Sequence, residues 1–127
     1  MCIRDRSYVD NAEGYLLTTG LMEWFWDNYC DPADRTDPKA SPLRAADLSG
    51  LPPAMIVTSQ FDPLRDEGDA YADALAAAGV PVRHLQCEGQ THTSIGMVGV
   101  LVTGAYARVE MAEALTSFLD AGVASAV

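Results

Sequence analysis

Asp62 and His92 are the residues whose type and placement could do chemistry. Asp62 follows the apolar run Ala54-Met55-Ile56-Val57-Thr58-Ser59 by three residues, and His92 follows the run from Val82 to Cys87 by five. A carboxylate beside an imidazole accepts a hydrogen bond from one ring nitrogen. That fixes the tautomer and leaves the other nitrogen to take a proton from a nucleophile. In an open parallel sheet, reactive groups gather just past the carboxyl ends of the strands. Neighbouring strands lie about 5 Å apart, so two such residues would share one edge. A plainer reading fits the same residues. An Asp before a proline is a common turn former or helix cap, and a lone loop histidine is commonly a bystander. Spacing alone leaves both readings open.

Regular elements flank the pair on both sides. The run over 54–59 comes just after Pro52-Pro53 and reads as a buried strand. Asp66 to Ala78 reads as a helix, with acids in the first turn suited to the macrodipole and Tyr71, Ala74, Leu75 and Ala78 on one face. Gly79 is the expected stop, and Pro81 comes shortly after it. Val82 to Cys87 reads as a second strand ended by Glu88-Gly89, and a loop with His92 comes next. Tyr106 to Ala121 reads as a helix with Met111, Leu115, Phe118 and Leu119 as its apolar stripe, closed by Gly122. Strand, helix, strand of this length is a βαβ unit, with parallel strands and a right-handed crossover. The fold class is therefore α/β. Two parallel strands alone make a poor domain, because parallel sheets need several strands and cover on both faces. The expectation is a portion of a larger sheet whose other strands lie upstream.

The first half is less patterned. Residues 7–20 are polar and turn-rich and read as a loop, with Thr18, Thr19 or Gly20 capping a short helix from Leu21 to Tyr29. Leu21, Phe25 and Tyr29 form its stripe, flanked by Trp24 and Trp26. Such a cluster is expected to be core or to cover a neighbouring domain. Residues 31–53 hold five of the seven prolines and read as an ordered linker of turns and extended chain. Residues 1–7 read as a non-native or disordered start, because Met1 to Arg6 look foreign to the rest of the chain. Residues 8–127 are then the domain portion.

Composition narrows the partners. The formal net charge is −10 and no Lys/Arg cluster occurs. Phosphate recognition needs clustered positive charge, which argues against nucleic acid and an anionic membrane surface. Cys2, Cys30 and Cys87 are odd in number and widely spaced, so neither a disulfide framework nor a zinc motif is signalled. The longest apolar stretch, Ile95 to Val102, holds two glycines and is too short to span a bilayer. No apolar signal segment comes after Met1, and the expected location is cytoplasmic. His84, inside the second strand, is expected to be a packed or surface histidine.

At Asp62 the pattern becomes specific. The stretch Leu51-Pro52-Pro53 through Gln60-Phe61-Asp62-Pro63-Leu64-Arg65-Asp66-Glu67-Gly68 resembles the acid-bearing segment of the hormone-sensitive-lipase-like branch of α/β-hydrolases. Ala77-Ala78-Gly79-Val80-Pro81-Val82, Asn11-Ala12-Glu13-Gly14-Tyr15-Leu16-Leu17 and Ala40-Ser41-Pro42-Leu43-Arg44-Ala45 continue the likeness, which runs from about Tyr8 to Leu119. The resemblance implies that Asp62 is the triad acid and that His92, in Gly89-Gln90-Thr91-His92, is the base, in the Asp-then-His order of that fold. It also implies small carboxylic esters as substrates and no metal or cofactor.

Two departures qualify this reading. The family usually has Gly-Phe after the histidine, where this chain has Thr93-Ser94. The Gly-x-Ser-x-Gly elbow and the glycine-rich oxyanion loop are absent. Ser94-Ile95-Gly96 matches half an elbow, with His92 where the first glycine belongs, and Ser59 has no glycines round it. Neither is expected to be a nucleophile. The expectation is an ester hydrolase present here as its Asp and His part, inactive alone. The alternative is a non-catalytic binding module that retains the scaffold.

Overall fold

A computed structural model of the chain describes residues 5–124, with side chains described through residue 121. Its centre is a two-stranded parallel sheet. Strand β1 (Ala54–Phe61) pairs with β2 (Val82–Thr91), and helix α3 (Arg65–Ala77) connects them. The α/β expectation holds in this form. Among the described residues no helix is long and apolar enough to cross a membrane.

Local chemistry explains how α3 ends. Gly79 sits at φ 81°, a left-handed conformation that costs glycine little. The Gly79 N–H donates to the Ala76 carbonyl and the Val80 N–H to the Leu75 carbonyl, both at 3.0 Å. These two bonds satisfy carbonyls that the helix end would leave orphaned. Val80 and Leu75 are both buried, which adds the apolar contact that accompanies this ending. The packed face of α3 centres on Ala72 and Leu75, while Tyr71, Ala74 and Ala78 are only half-buried. Residues 54–57 of β1 are likewise half-buried rather than buried, because among the described residues only one strand flanks β1.

Several expectations are corrected. Residues 7–20 are not all loop, since Arg6–Asp10 forms a short helix, α1. Ser7 and Tyr8, the first of them assigned to a foreign or disordered start, are buried against the entry to α3. Residues 1–4 lie outside the described residues, and so does Cys2; Cys30 and Cys87 are free thiols, both half-buried.

Helix α2 runs over Thr19–Tyr29, with the Thr18 hydroxyl accepting the Leu21 N–H at 3.1 Å. Its stripe is not core, however: Leu21, Phe25 and Tyr29 are exposed, and so is Trp24.

Helix α4 (Val102–Ala124) starts four residues before the expected Tyr106 and continues through Gly122. It packs through small residues, Gly104, Ala107 and Ala114. A Cβ at Gly104 would lie 2.5 Å from the Ser94 carbonyl oxygen, so only glycine admits this approach. The expected stripe of Met111, Leu115 and Leu119 is exposed instead. Periodicity marked these large residues as the packing face, whereas α4 packs through its small ones.

Candidate active site

Both strands run further than their apolar cores suggest. β1 continues to Phe61, so Asp62 follows it directly, and β2 continues to Thr91, so His92 follows it directly. Glu88-Gly89 does not end β2. The register runs from Ala54↔Val82 to Ser59↔Cys87 and then shifts, with Phe61 opposite Thr91. Between those pairs β1 has Gln60 alone, while β2 has Glu88, Gly89 and Gln90.

The two side chains predicted to work together do meet. His92 Nδ1 lies 2.7 Å from Asp62 Oδ2, within the range of a charge-assisted hydrogen bond. The other carboxylate oxygen, Oδ1, accepts the Leu64 N–H at 2.9 Å, so both oxygens are engaged. Asp62 is 6% exposed, and the His92 side chain is 37% exposed. The bond from Asp62 favours the imidazolium and raises the His92 pKa above its ordinary value, with burial opposing and the carboxylate's charge reinforcing the shift. With Nδ1 committed to the carboxylate, Nε2 is the nitrogen that can exchange a proton with a substrate or nucleophile.

A cleft of about 410 Å³ opens on this pair, of a size suited to small-molecule ligands. Trp26, Pro42, Val57, Tyr71 and Ile95 give it apolar walls, and Ser59 lines it as well. Of the two tryptophans, only Trp26 contributes to it; Trp24 is 58% exposed. Ser94 is buried beneath α4. His84 lies apart from the pair on the sheet, with Nε2 3.1 Å from Thr58 Oγ1 and 3.2 Å from Asp69 Oδ1.

Thr93 explains the altered motif after the histidine. Its φ is 69°, the one positive value at a non-glycine residue among those described. A β-branched residue is strained there, whereas glycine is not. The position that the resembling family fills with glycine therefore keeps a glycine-like backbone here, although its residue is threonine.

Residues that the sequence reading did not single out hold the Asp62 loop. Ser7 Oγ donates to the Pro63 carbonyl at 2.7 Å and accepts the Asp66 N–H at 3.2 Å. Asp66, a first-turn acid of α3, accepts the Ser7 N–H through Oδ2 at 2.8 Å. Burial works against its charge, yet that bond and the Arg65 guanidinium hold its pKa below the ordinary value. Asn11 Nδ2 donates to the Asp62 carbonyl at 3.2 Å. The Tyr8 hydroxyl donates to Glu67 at 3.3 Å, and burial together with the Glu67 carboxylate pushes that phenol well above its usual range. No local spacing signals these contacts, which join residues about fifty positions or more apart.

A βαβ core with an Asp–His pair at the strand ends points to a class, the α/β hydrolases. The sequence pattern of the alpha/beta hydrolase fold matches residues 3–95, and the chain belongs to this family. Its relatives include esterases. It is 41% identical over 111 residues to the carboxylic ester hydrolase LipN of Mycobacterium tuberculosis, a match covering 86% of this chain and 30% of LipN. It is 39% identical over 109 residues to the ethyl acetate hydrolase of Pseudomonas putida, covering 85% of this chain and 34% of that protein. Among solved structures, the hyperthermophilic esterase of the archaeon Pyrobaculum calidifontis superposes with a TM-score of 0.85 at 36% identity, over 91% of this chain and 38% of that one. The chain thus spans about a third of the length of the proteins it matches.

Proposed function

We propose that residues 8–127 are the carboxyl-terminal, acid- and base-bearing portion of a hydrolase that cleaves small carboxylic esters. The 2.7 Å bond between Asp62 and His92 carries this reading. Asp62 holds the imidazole in the tautomer that protonates Nδ1. His92 Nε2 then takes the proton of a serine hydroxyl as it attacks the ester carbonyl, and returns it to the departing alcohol. The serine and the oxyanion donors come from sequence beyond this chain, since no Gly-x-Ser-x-Gly occurs in the 127 residues. The apolar walls around Trp26 and Tyr71 suit an acyl or alkyl group more than a charged one. No metal or cofactor enters this chemistry.

Two assays test the proposal. The 127-residue chain alone is expected to leave p-nitrophenyl acetate at its uncatalysed rate, and turnover abolished by His92→Ala would overturn that. In a hydrolase completed with a serine elbow, Asp62→Asn should lower kcat by roughly 10⁴-fold, the scale seen when a triad acid is neutralised. An unchanged kcat would remove Asp62 from the mechanism. The alternative of a non-catalytic module rests on Thr93-Ser94, and the left-handed backbone at Thr93, a conformation open to glycine, weakens it.

A further inference from the structure

His92 reaches Asp62 only because β2 carries two more residues than β1 just before it. Continued without a shift, the register Ser59↔Cys87 would set Phe61 opposite Gly89 and bring Gln90, not His92, level with Asp62. The two extra residues move β2 by about 7 Å, at roughly 3.3 Å per residue. That is more than twice the length of the hydrogen bond they make possible. A bulge of this kind leaves backbone groups without ladder partners and re-aims the residues beyond it.

One side chain meets that need. Gly89, at φ 70° within the bulge, donates its N–H to Gln60 Oε1 at 2.7 Å. Gln60 is the residue that stands alone on β1 opposite the bulge. Its own carbonyl accepts Arg65 Nη1 at 3.0 Å and Asn11 Nδ2 at 3.5 Å, and Asn11 also bonds the Asp62 carbonyl. Gln60 therefore ties the bulge on one strand to the loop that carries the acid on the other. Its side chain is hydrogen-bonded to Gly89 rather than to the Asp62 carboxylate or the His92 ring.

We infer that Gln60 is a positioning residue whose side-chain carbonyl, by accepting the Gly89 N–H, holds the bulge that sets His92 level with Asp62. The inference rests on the reading of Asp62 and His92 as acid and base. Its effect is on alignment, so it should appear in the state of the His92 ring before it appears in overall stability. An acceptor at this position is what matters, so Glu can replace Gln and Leu, of similar size, cannot.

The test is histidine C2 hydrogen–deuterium exchange read by mass spectrometry against pH, which titrates His92 and His84 separately in the 127-residue chain. Four chains are compared: the parent, Asp62→Asn, Gln60→Leu and Gln60→Glu. The parent should titrate His92 above the ordinary imidazole value of about 6.5. Asp62→Asn and Gln60→Leu should both bring the midpoint down toward that value, Gln60→Glu should keep it raised, and His84 should titrate alike in all four. If Gln60→Leu leaves His92 at its parent midpoint while Asp62→Asn lowers it, the role of Gln60 is overturned and the Asp62–His92 pair stands. If Asp62→Asn changes nothing, the pair itself fails and the inference with it. If Gln60→Leu displaces His84 as well, Gln60 supports the fold rather than the register, and the inference is again overturned.

Discussion

Among single residues, a proton on His92 and a backbone angle at Thr93 matter most to the pair. Asp62 raises the folded-state pKa of His92, so the folded chain holds that proton more tightly than the unfolded one. The contribution to stability is therefore fully present below about pH 6.5 and is lost as pH rises through the elevated folded value. Urea midpoints measured across that window should fall in the parent chain and fall less in Asp62→Asn; parallel profiles would separate the pair from stability. General-base chemistry needs the opposite state, neutral imidazole, so in a hydrolase completed with a serine elbow, as proposed above, activity should appear only as pH rises past the same titration. Thr93 supplies a second prediction. Relief of left-handed strain is worth roughly 1–2 kcal/mol, and the added freedom of glycine in the unfolded chain returns roughly 0.4–1 kcal/mol. Thr93→Gly should thus raise unfolding stability by up to about 1.5 kcal/mol by chemical denaturation, and a clear loss would show that the threonine side chain makes contacts that outweigh its strain.

At the scale of elements, the approach of α4 to the His92 loop depends on a missing Cβ. Replacing a helical glycine by alanine ordinarily stabilises by about 1 kcal/mol. At Gly104 the new Cβ would meet the Ser94 carbonyl at 2.5 Å, and overpacking of this kind costs about 1–3 kcal/mol. Gly104→Ala should therefore destabilise the chain and disturb His92 titration, whereas a stabilised variant would mean that α4 does not press on this loop. The strands and α3 were readable from sequence because their signals are local. β1 is an apolar run after prolines, and α3 has acids at its start and Gly79 at its end. The reach of β2 was not readable, because Gly89 carries the same signal whether it ends a strand or bends one. Asp62 and His92 were found from their place after strand cores and from family likeness. Ser7, Asn11 and Gln60 were not, since what they hold lies far away in sequence or is set by a register that no residue pattern records.

At the scale of the whole molecule, the chain is apolar in places that a finished domain would cover. Trp24, Phe25 and Tyr29 on α2 and Leu115 and Leu119 on α4 are all exposed, and the sheet has two strands. Apolar exposure on this scale marks surface that another body covers. The 127-residue chain should bind ANS in native buffer and associate as its concentration rises, and a monomer indifferent to ANS would argue for a self-sufficient domain. The matched esterases are about three times longer, which is why the nucleophile is assigned to sequence beyond this chain. The reading frame upstream of the Met1 codon, sequenced at its native locus, tests that assignment most directly. An in-frame glycine-rich His-Gly-Gly-Gly segment followed by Gly-Asp-Ser-Ala-Gly is the expected result. An intact gene that lacks both would contradict it, leaving Asp62 and His92 an aligned pair with no serine to serve.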